Sequence, residues 1–245
     1  MNEINPDWNG KYPIVGLKIN LDFDRPARQK VESFQKFFVP DIADLVGPLY
    51  SMDASLRPGY KPMKKLLGTA FTVKIPPGDN LMLIKALTLA EPGDVIVVDA
   101  RGHSTHCCGG AGHTLISKRR GISGMVVDGA YRDMSQIEDL DFPIFCKGIH
   151  PATGPKVGPG EIGVPISCGG VIVNPGDVIV GDEEGVCCIP KQYVDKVIEK
   201  CEEVPIREDE DDWPDVVERN KARDAYYDKV IAERNVEIIQ KDYNK

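Results

Sequence analysis

An α/β fold is predicted by three features of the 245-residue chain. Between about residue 65 and residue 150, short β-branched runs alternate with helical spacings, the pattern of a sheet with helices packed on it. After Gly148 the pattern changes to short strand-like runs split by glycine, Asn-Pro-Gly-Asp and Asp-Glu-Glu-Gly turns. Hydrophobic residues make up 42 % and charged residues 28 %, an ordinary globular balance that argues against general disorder. The length is enough for one sizeable core.

The elements follow in order. Residues 1 to about 26 carry Pro6, Pro13 and Pro26 and little periodicity, so an irregular arm is expected. From Ala27 to Gly47, apolar residues at helical spacing, interrupted by Pro40, predict two short helices. Ser51 to Pro62 reads as a loop. Leu66 to Ile75 is a strand, and the polar end of Pro76 to Asn80 can cap a helix from Leu81 to Ala90. Val95 to Val98 is a buried strand, followed by a glycine-rich loop and a helix from about Gly112 to Arg120, with Gly121 as its C-cap. Met125 to Asp128 is a second buried strand, Asp133 to Leu140 a short helix, and Pro143 to Cys146 a third strand. Ile149 to Gly163 reads as loop. Val164–Cys168, Val171–Val173, Val178–Val180 and Val186–Ile189 read as a meander. The tail from Lys191 is helical, broken at Pro205 and Pro214, and its charged last piece, Val216 to Gln240, suits packing on a neighbouring subunit. The expected organisation is a single domain: an arm and helices over 1–64, a core over 65–190 and a helical tail over 191–245.

Charge narrows the partners. Lys plus Arg total 30 against 38 Asp plus Glu, a net charge of −8, with much of the surplus in Glu208 to Asp212. No basic cluster exceeds Lys118-Arg119-Arg120, so no nucleic-acid partner is expected. No apolar run approaches the roughly 18 residues that span a bilayer. The polar N-terminus lacks the order of a signal peptide, so no membrane association is expected either. Seven cysteines, two pairs of them adjacent, do not form a disulfide framework and point to a reducing cytoplasm.

Three features between residues 93 and 133 carry chemistry. Gly93 to Ala100 is a strand whose carboxyl end delivers a loop, where ligands of αβ sheets tend to bind. The loop Arg101 to His113 holds three of the four histidines, and its glycines precede a helix start whose amides can cradle a carboxylate. Val126 to Asp133 ends in an adjacent cation and anion. Arg132 can fork onto a carboxylate or enolate oxygen, and Asp133 can ligate a hard divalent metal. Each signal has a bland competitor, a surface ion pair or an ordinary turn. His103, His106, Cys107 and Cys108 offer a competing zinc site, although adjacent cysteines depart from the usual zinc spacing. Cys187 and Cys188 read as small core residues. Asp99 and Asp128 sit at strand ends, where holding loops and touching substrate are equal readings.

The order GDVIVVDARG, a glycine loop and helix, RRGISGMVVDGAYRD, DFPIFCKG and GVPISCGGVIVNPGDVIVGDEEGVCCIP resembles the RraA-like family, which includes the 4-hydroxy-4-methyl-2-oxoglutarate aldolases, or class II pyruvate aldolases. The resemblance covers about residues 65 to 205. It implies a three-layer α/β/β sandwich, trimers or hexamers with sites at subunit interfaces, and a Mg²⁺ or Mn²⁺ requirement. It also implies retro-aldol cleavage of a small 2-oxo acid to release pyruvate, often with oxaloacetate decarboxylation. Carried over singly, Arg132 matches the arginine on the pyruvyl oxygen and Asp133 the metal ligand. Gly110, Ala111, Gly112, His113 and Thr114 match the segment whose amides hold the substrate carboxylate. The family pattern has glycine where this chain has Ala111, and Glu or Asp where it has Gln136. By spacing, Glu208 is the nearest match to a glutamate lent by a neighbour. His113 is unusual in its loop, and a contact with a second substrate carboxylate or hydroxyl competes with no chemical role. Some relatives bind and inhibit a ribonuclease instead. The resemblance implies that such members lack the aspartate after the arginine, which this chain keeps as Asp133.

Overall fold

The computed structural model describes residues 15–203 and 216–234. The strands are β1 (Leu17–Ile19), β2 (Arg57–Pro58), β3 (Leu66–Lys74), β4 (Asp94–Cys107), β5 (Gly124–Tyr131), β6 (Ile144–Ile149), β7 (Gly160–Ile162), β8 (Ile166–Cys168), β9 (Val171–Val173), β10 (Val178–Asp182) and β11 (Gly185–Ile189). The helices are α1 (Arg28–Glu32), α2 (Val39–Val46), α3 (Leu81–Leu89), α4 (Ala111–Arg119), α5 (Met134–Asp139), α6 (Val194–Glu203) and α7 (Val216–Glu233). The last of these belongs to a separate unit of the chain.

The main sheet runs β1-β7-β3-β4-β5-β6-β2, and β10 joins it beside β3 with β11 outside. Its centre, β3-β4-β5-β6, is parallel. Parallel neighbours need crossovers, which α3, α4 and α5 supply. Period-two alternation sends side chains to two cores. Phe71, Val73, Ile96, Val98, Met125, Val127 and Ile144 face α3 and α5, packing on Leu83, Leu87 and Ile137. Ala70, Val95, Val97, Val126 and Phe145 face the β8–β9 hairpin through Ile166, Cys168, Val171 and Val173. Helices, sheet and hairpin are the three layers. A further cluster seats Phe34, Phe37, Val39 and Ile42 on β10 and β11.

Several local expectations change. The arm contains β1, paired in parallel with β7, and β7 itself lies in the stretch expected to be loop. The four late strands are not one meander. β8 and β9 form their own two-stranded sheet, while β10 returns antiparallel to β3. The turn after β3 does cap α3, through Asp79, whose Oδ1 accepts the Leu81 amide at 2.8 Å. Its Oδ2 accepts the Val157 and Gly158 amides at 2.8 and 3.0 Å, so one buried carboxylate ties the helix start to the loop before β7. At the far end of the strands, buried Asp94 accepts Arg25 in a fork, Nε at 2.9 Å and the second nitrogen at 3.0 Å.

Candidate active site

The largest departure from sequence expectation builds the site. The segment read as a glycine-rich loop after Val98 is the continuation of β4. Asp99 pairs with Asp128, His103 with Gly129 and Cys107 with Ala130, so β4 advances four residues at each step where β5 advances one. The surplus bulges out twice, and Arg101 and Gly102 take positive φ at the first bulge. The bulged strand ends at Cys107 and feeds Cys108 to Gly110 into the start of α4.

Gly110 is the N-cap of α4. Its carbonyl accepts the His113 and Thr114 amides at 3.0 and 3.1 Å, and the Thr114 hydroxyl at 3.3 Å. The next amide, Ala111, is aimed at Asp133 Oδ2 at 3.1 Å. Glycine here leaves room for the Asp133 carboxylate. A Cβ built on Gly110 would lie 2.3 Å from Asp133 Oδ2. Asp133 has φ of 64° at the N-cap of α5, a left-handed conformation that aspartate tolerates better than most residues and that turns its carboxylate towards α4. Arg132 donates its own amide to Gly109 at 3.1 Å and a guanidinium N–H to the Pro151 carbonyl at 3.0 Å. Its Nε stands 3.6 Å from Asp133 Oδ2. The two side chains are 41 % and 34 % exposed, so both remain open to a ligand.

A cavity of about 310 Å³ is lined by Gly110, Gly112, His113, Ile116, Arg132, Asp133 and neighbours. The segment 150–158 closes one wall. The Cys107 amide donates to the Ala152 carbonyl at 2.7 Å, the Asn80 amide to Pro155 at 3.3 Å, and Thr153 reaches the cavity. Burial depresses the His113 pKa below its ordinary 6.5, aided by the charges of Lys156 and Arg132 and opposed by Asp133. A larger cleft of about 500 Å³ lies at the amino end of β4. Its charges are spent on one another or on backbone carbonyls, Arg25 on Asp94, Arg28 on Glu32, Lys64 on Asp141, Lys65 on Phe34 and Lys118 on Leu140, which leaves little for chemistry.

The sequence-predicted residues Gly110, Ala111, Gly112, His113, Arg132 and Asp133 are therefore brought together, with Thr114 buried behind them. One assignment is refined: the Ala111 amide holds Asp133, and Gly112 is the first-turn amide facing the cavity that has no carbonyl one turn back inside the helix. Glu208 lies outside the described residues. The competing zinc set is not assembled. Cys107 and Cys108 are buried, burial pushes the Cys108 thiol up to about 12, and His103 and His106 face each other at 3.3 Å. Among the described residues no group of three or more His, Cys, Asp or Glu side chains is placed to hold a metal. A lone carboxylate with one oxygen steadied by an amide still fits Mg²⁺ or Mn²⁺, since small hard cations retain several waters and need only one or two carboxylates. Asp128 and Asp99 hold loops: Asp128 accepts the Gly169 amide at 2.8 Å and pairs with Lys147 at 2.7 Å, and Asp99 accepts the Arg101 amide at 3.1 Å. All seven cysteines are free and buried.

Two participants escaped sequence reasoning. Lys156 and the 150–158 wall sit in a Pro- and Gly-rich stretch with no motif, so nothing local marks them. The string Gly158-Pro159-Gly160-Glu161-Ile162-Gly163 spells GxGxxG, but it forms β7 and opens no helix, so it is not a dinucleotide fingerprint.

Comparison with known proteins places the chain in a family. Residues 39–188 match the family model RraA-like, Aldolase/RraA. The chain is 45 % identical over 159 residues to a Halalkalibacterium halodurans protein named "Putative 4-hydroxy-4-methyl-2-oxoglutarate aldolase", covering 65 % of this chain and 75 % of that one. An uncharacterized Methanocaldococcus jannaschii protein is 36 % identical over 198 residues, 80 % of this chain and 87 % of its own. Among solved structures, Streptomyces coelicolor RraAS2, described as an unusual member of the RNase ES inhibitor RraA protein family, superposes with a TM-score of 0.67 at 27 % identity, covering 74 % of this chain and 94 % of that one. A match over residues 39–188, more than half the chain, makes this protein a member of the RraA-like family.

Proposed function

We propose that the chain is a divalent-metal-dependent lyase that releases pyruvate from a small 2-oxo acid, by retro-aldol cleavage, by decarboxylation of oxaloacetate, or by both. The observation that carries this reading is the convergence of Arg132, Asp133 and the first turn of α4 on one cavity. Both reactions leave a pyruvate enolate, and its developing charge is the costly part. The Gly112 amide, at the positive end of α4, binds the substrate carboxylate. Arg132 lies against the keto oxygen and stabilises the enolate with a fixed positive charge. Asp133 holds Mg²⁺ or Mn²⁺, with the Ala111 amide keeping its carboxylate in place. When bound, the cation supplies Lewis-acid stabilisation of the same enolate.

Assembly as a homotrimer or homohexamer, with the cleft at a subunit interface, belongs to the same proposal. Ile116, Ile149 and Val157 are 45 %, 67 % and 63 % exposed, apolar surface of the kind a second copy would cover. Among the described residues, no helix is long and apolar enough to cross a membrane.

The testing experiment measures pyruvate from oxaloacetate and from 4-hydroxy-4-methyl-2-oxoglutarate, with Mg²⁺ or Mn²⁺ and with EDTA. Metal-dependent release from either compound is the expected result. No release from either favours a second reading, a non-catalytic regulator that binds a ribonuclease, which the description of the Streptomyces relative supports. In that case the purified protein should inhibit cleavage of a defined RNA by RNase ES, the enzyme that description names.

A further inference from the structure

We infer that His113 is the general base of retro-aldol cleavage, the group that takes the proton from the substrate's C4 hydroxyl. This rests on the lyase reading above and supplies the base which that reading leaves open.

The argument begins with what the cavity contains. Four of its lining side chains titrate: Cys107, His113, Arg132 and Asp133. Arginine stays charged and cannot accept a proton. Asp133 is engaged by the Ala111 amide and, on the reading above, by the cation. Cys107 is only 1 % exposed. Among the described residues that line the cavity, His113 is the one that combines access to it with an acceptor nitrogen.

Its placement is fixed from both sides. The His113 amide donates to Gly110 at 3.0 Å and its carbonyl accepts the Ser117 hydroxyl at 3.0 Å, which secures the backbone in the first turn of α4. The ring lies against Gly109, where a built Cβ would stand 2.8 Å from Nδ1 and 2.6 Å from the Tyr131 ring. The glycine is thus what lets the imidazole pack beside the same backbone that carries Gly110 and Ala111. The charges facing the ring are Lys156 from the 150–158 wall and Arg132 and Asp133 from beyond β5. Burial and the two cations favour the neutral imidazole, the form a base needs at neutral pH.

The step balances within the substrate and this side chain. The C4 hydroxyl proton passes to an imidazole nitrogen, and the C4 oxygen becomes a carbonyl. The C3–C4 bond breaks, and its electron pair forms the pyruvate enolate. The proton then goes to C3, giving pyruvate and neutral imidazole.

Decarboxylation of oxaloacetate provides an internal control. It reaches the same enolate by losing carbon dioxide and has no hydroxyl to deprotonate. His113→Asn and His113→Gln should therefore lower cleavage of 4-hydroxy-4-methyl-2-oxoglutarate by about a hundredfold or more, the usual weight of a general base, and oxaloacetate decarboxylation by less than about tenfold. Melting temperature and Mn²⁺ affinity, read by electron paramagnetic resonance, should match the unaltered protein, which separates loss of a base from loss of the fold or of the cation. Equal loss of both activities, or loss of neither, overturns the assignment. If the unaltered protein shows neither metal-dependent activity, the lyase reading fails and His113 as base fails with it.

Discussion

Asp128 and Asp133 flank the end of the same strand and have opposite fates. Asp128 lies on the hairpin face and is 6 % exposed. Its carboxylate is divided between Lys147 at 2.7 Å and the Gly169 amide at 2.8 Å. Burial alone would lower the pKa of Lys147, but the hydrogen bond and charge of Asp128 outweigh it and hold the ammonium above its ordinary range. That pair locks the turn between β8 and β9 onto the sheet. Asp133 lies on the helix face with one amide and a distant guanidinium for company, and its side chain is a third exposed. A carboxylate becomes available for chemistry when the fold steadies one oxygen and leaves the rest of its coordination unfilled. The difference is visible only in partners, because the two residues are chemically the same.

Substitutions that break this division should do so in opposite observables. The largest effect is expected at the open side. Arg132→Ala should lower pyruvate release by a hundred- to a thousandfold, about 2.7–4 kcal/mol in the barrier, with an unchanged melting temperature. Asp133→Ala should remove the metal stimulation together with the activity. Full turnover in the arginine variant, or full metal stimulation in the aspartate variant, would place the chemistry elsewhere.

The closed side should answer in stability. Lys147→Met strands the Asp128 carboxylate in a nearly dry site, and breaking a buried pair from one side costs about 3 kcal/mol or more. Urea unfolding should show that loss, while activity per folded molecule is largely retained. Large loss of activity at unchanged stability would mean that Asp128 belongs to the site after all.

How far the sequence discloses this division depends on which interactions are local. The parallel strands at the centre are legible because Val95 to Val98 and Met125 to Val127 are β-branched or apolar and buried on both faces. Arg132 and Asp133 are legible because they are adjacent, and the start of α4 because glycine precedes a helical spacing. Three-residue strands such as β1 and β7 are not. They exist through backbone pairing across the chain, in stretches where proline and glycine signal loop. The bulged end of β4 is hidden for the same reason: Gly102, His103, Ser104 and Thr105 have loop composition, and only pairing with Gly129 and Ala130 makes them strand. The wall formed by residues 150–158 depends on contacts with Asp79, Asn80 and Cys107, which no spacing rule connects.

Gly110 tests the link between the two fates more gently. It precedes the Ala111 amide that steadies one oxygen of Asp133, and an added methyl would sit 2.3 Å from that oxygen and 3.0 Å from the Arg132 side chain. The backbone there is extended, so the conformation itself costs alanine nothing. Asp133 has an exposed direction in which to yield, so Gly110→Ala should cost only about 1 kcal/mol of stability. The displaced carboxylate should nevertheless weaken Mn²⁺ binding and slow turnover by about tenfold, about 1.4 kcal/mol in the barrier. Unchanged Mn²⁺ affinity would show that the placement of Asp133 by the α4 start is immaterial.

The smallest effect is a pH dependence at His113. Its folded pKa is depressed, so the unfolded chain takes up the proton first as the pH falls below about 6.5. The stability that comes from keeping the imidazole neutral is therefore fully present above that value, and it is lost as the pH falls through it towards the folded pKa. A glutamine has no proton to gain. In EDTA, where no cation contributes, the stability of the unaltered protein relative to His113→Gln should decline between pH 7.5 and pH 5.5. A constant difference between those values would mean that the ring titrates as freely in the folded protein as in the unfolded chain. The cavity would then not hold its base in the neutral form, and the distinction between a carboxylate spent on structure and a site kept ready for proton transfer would rest on Asp133 alone.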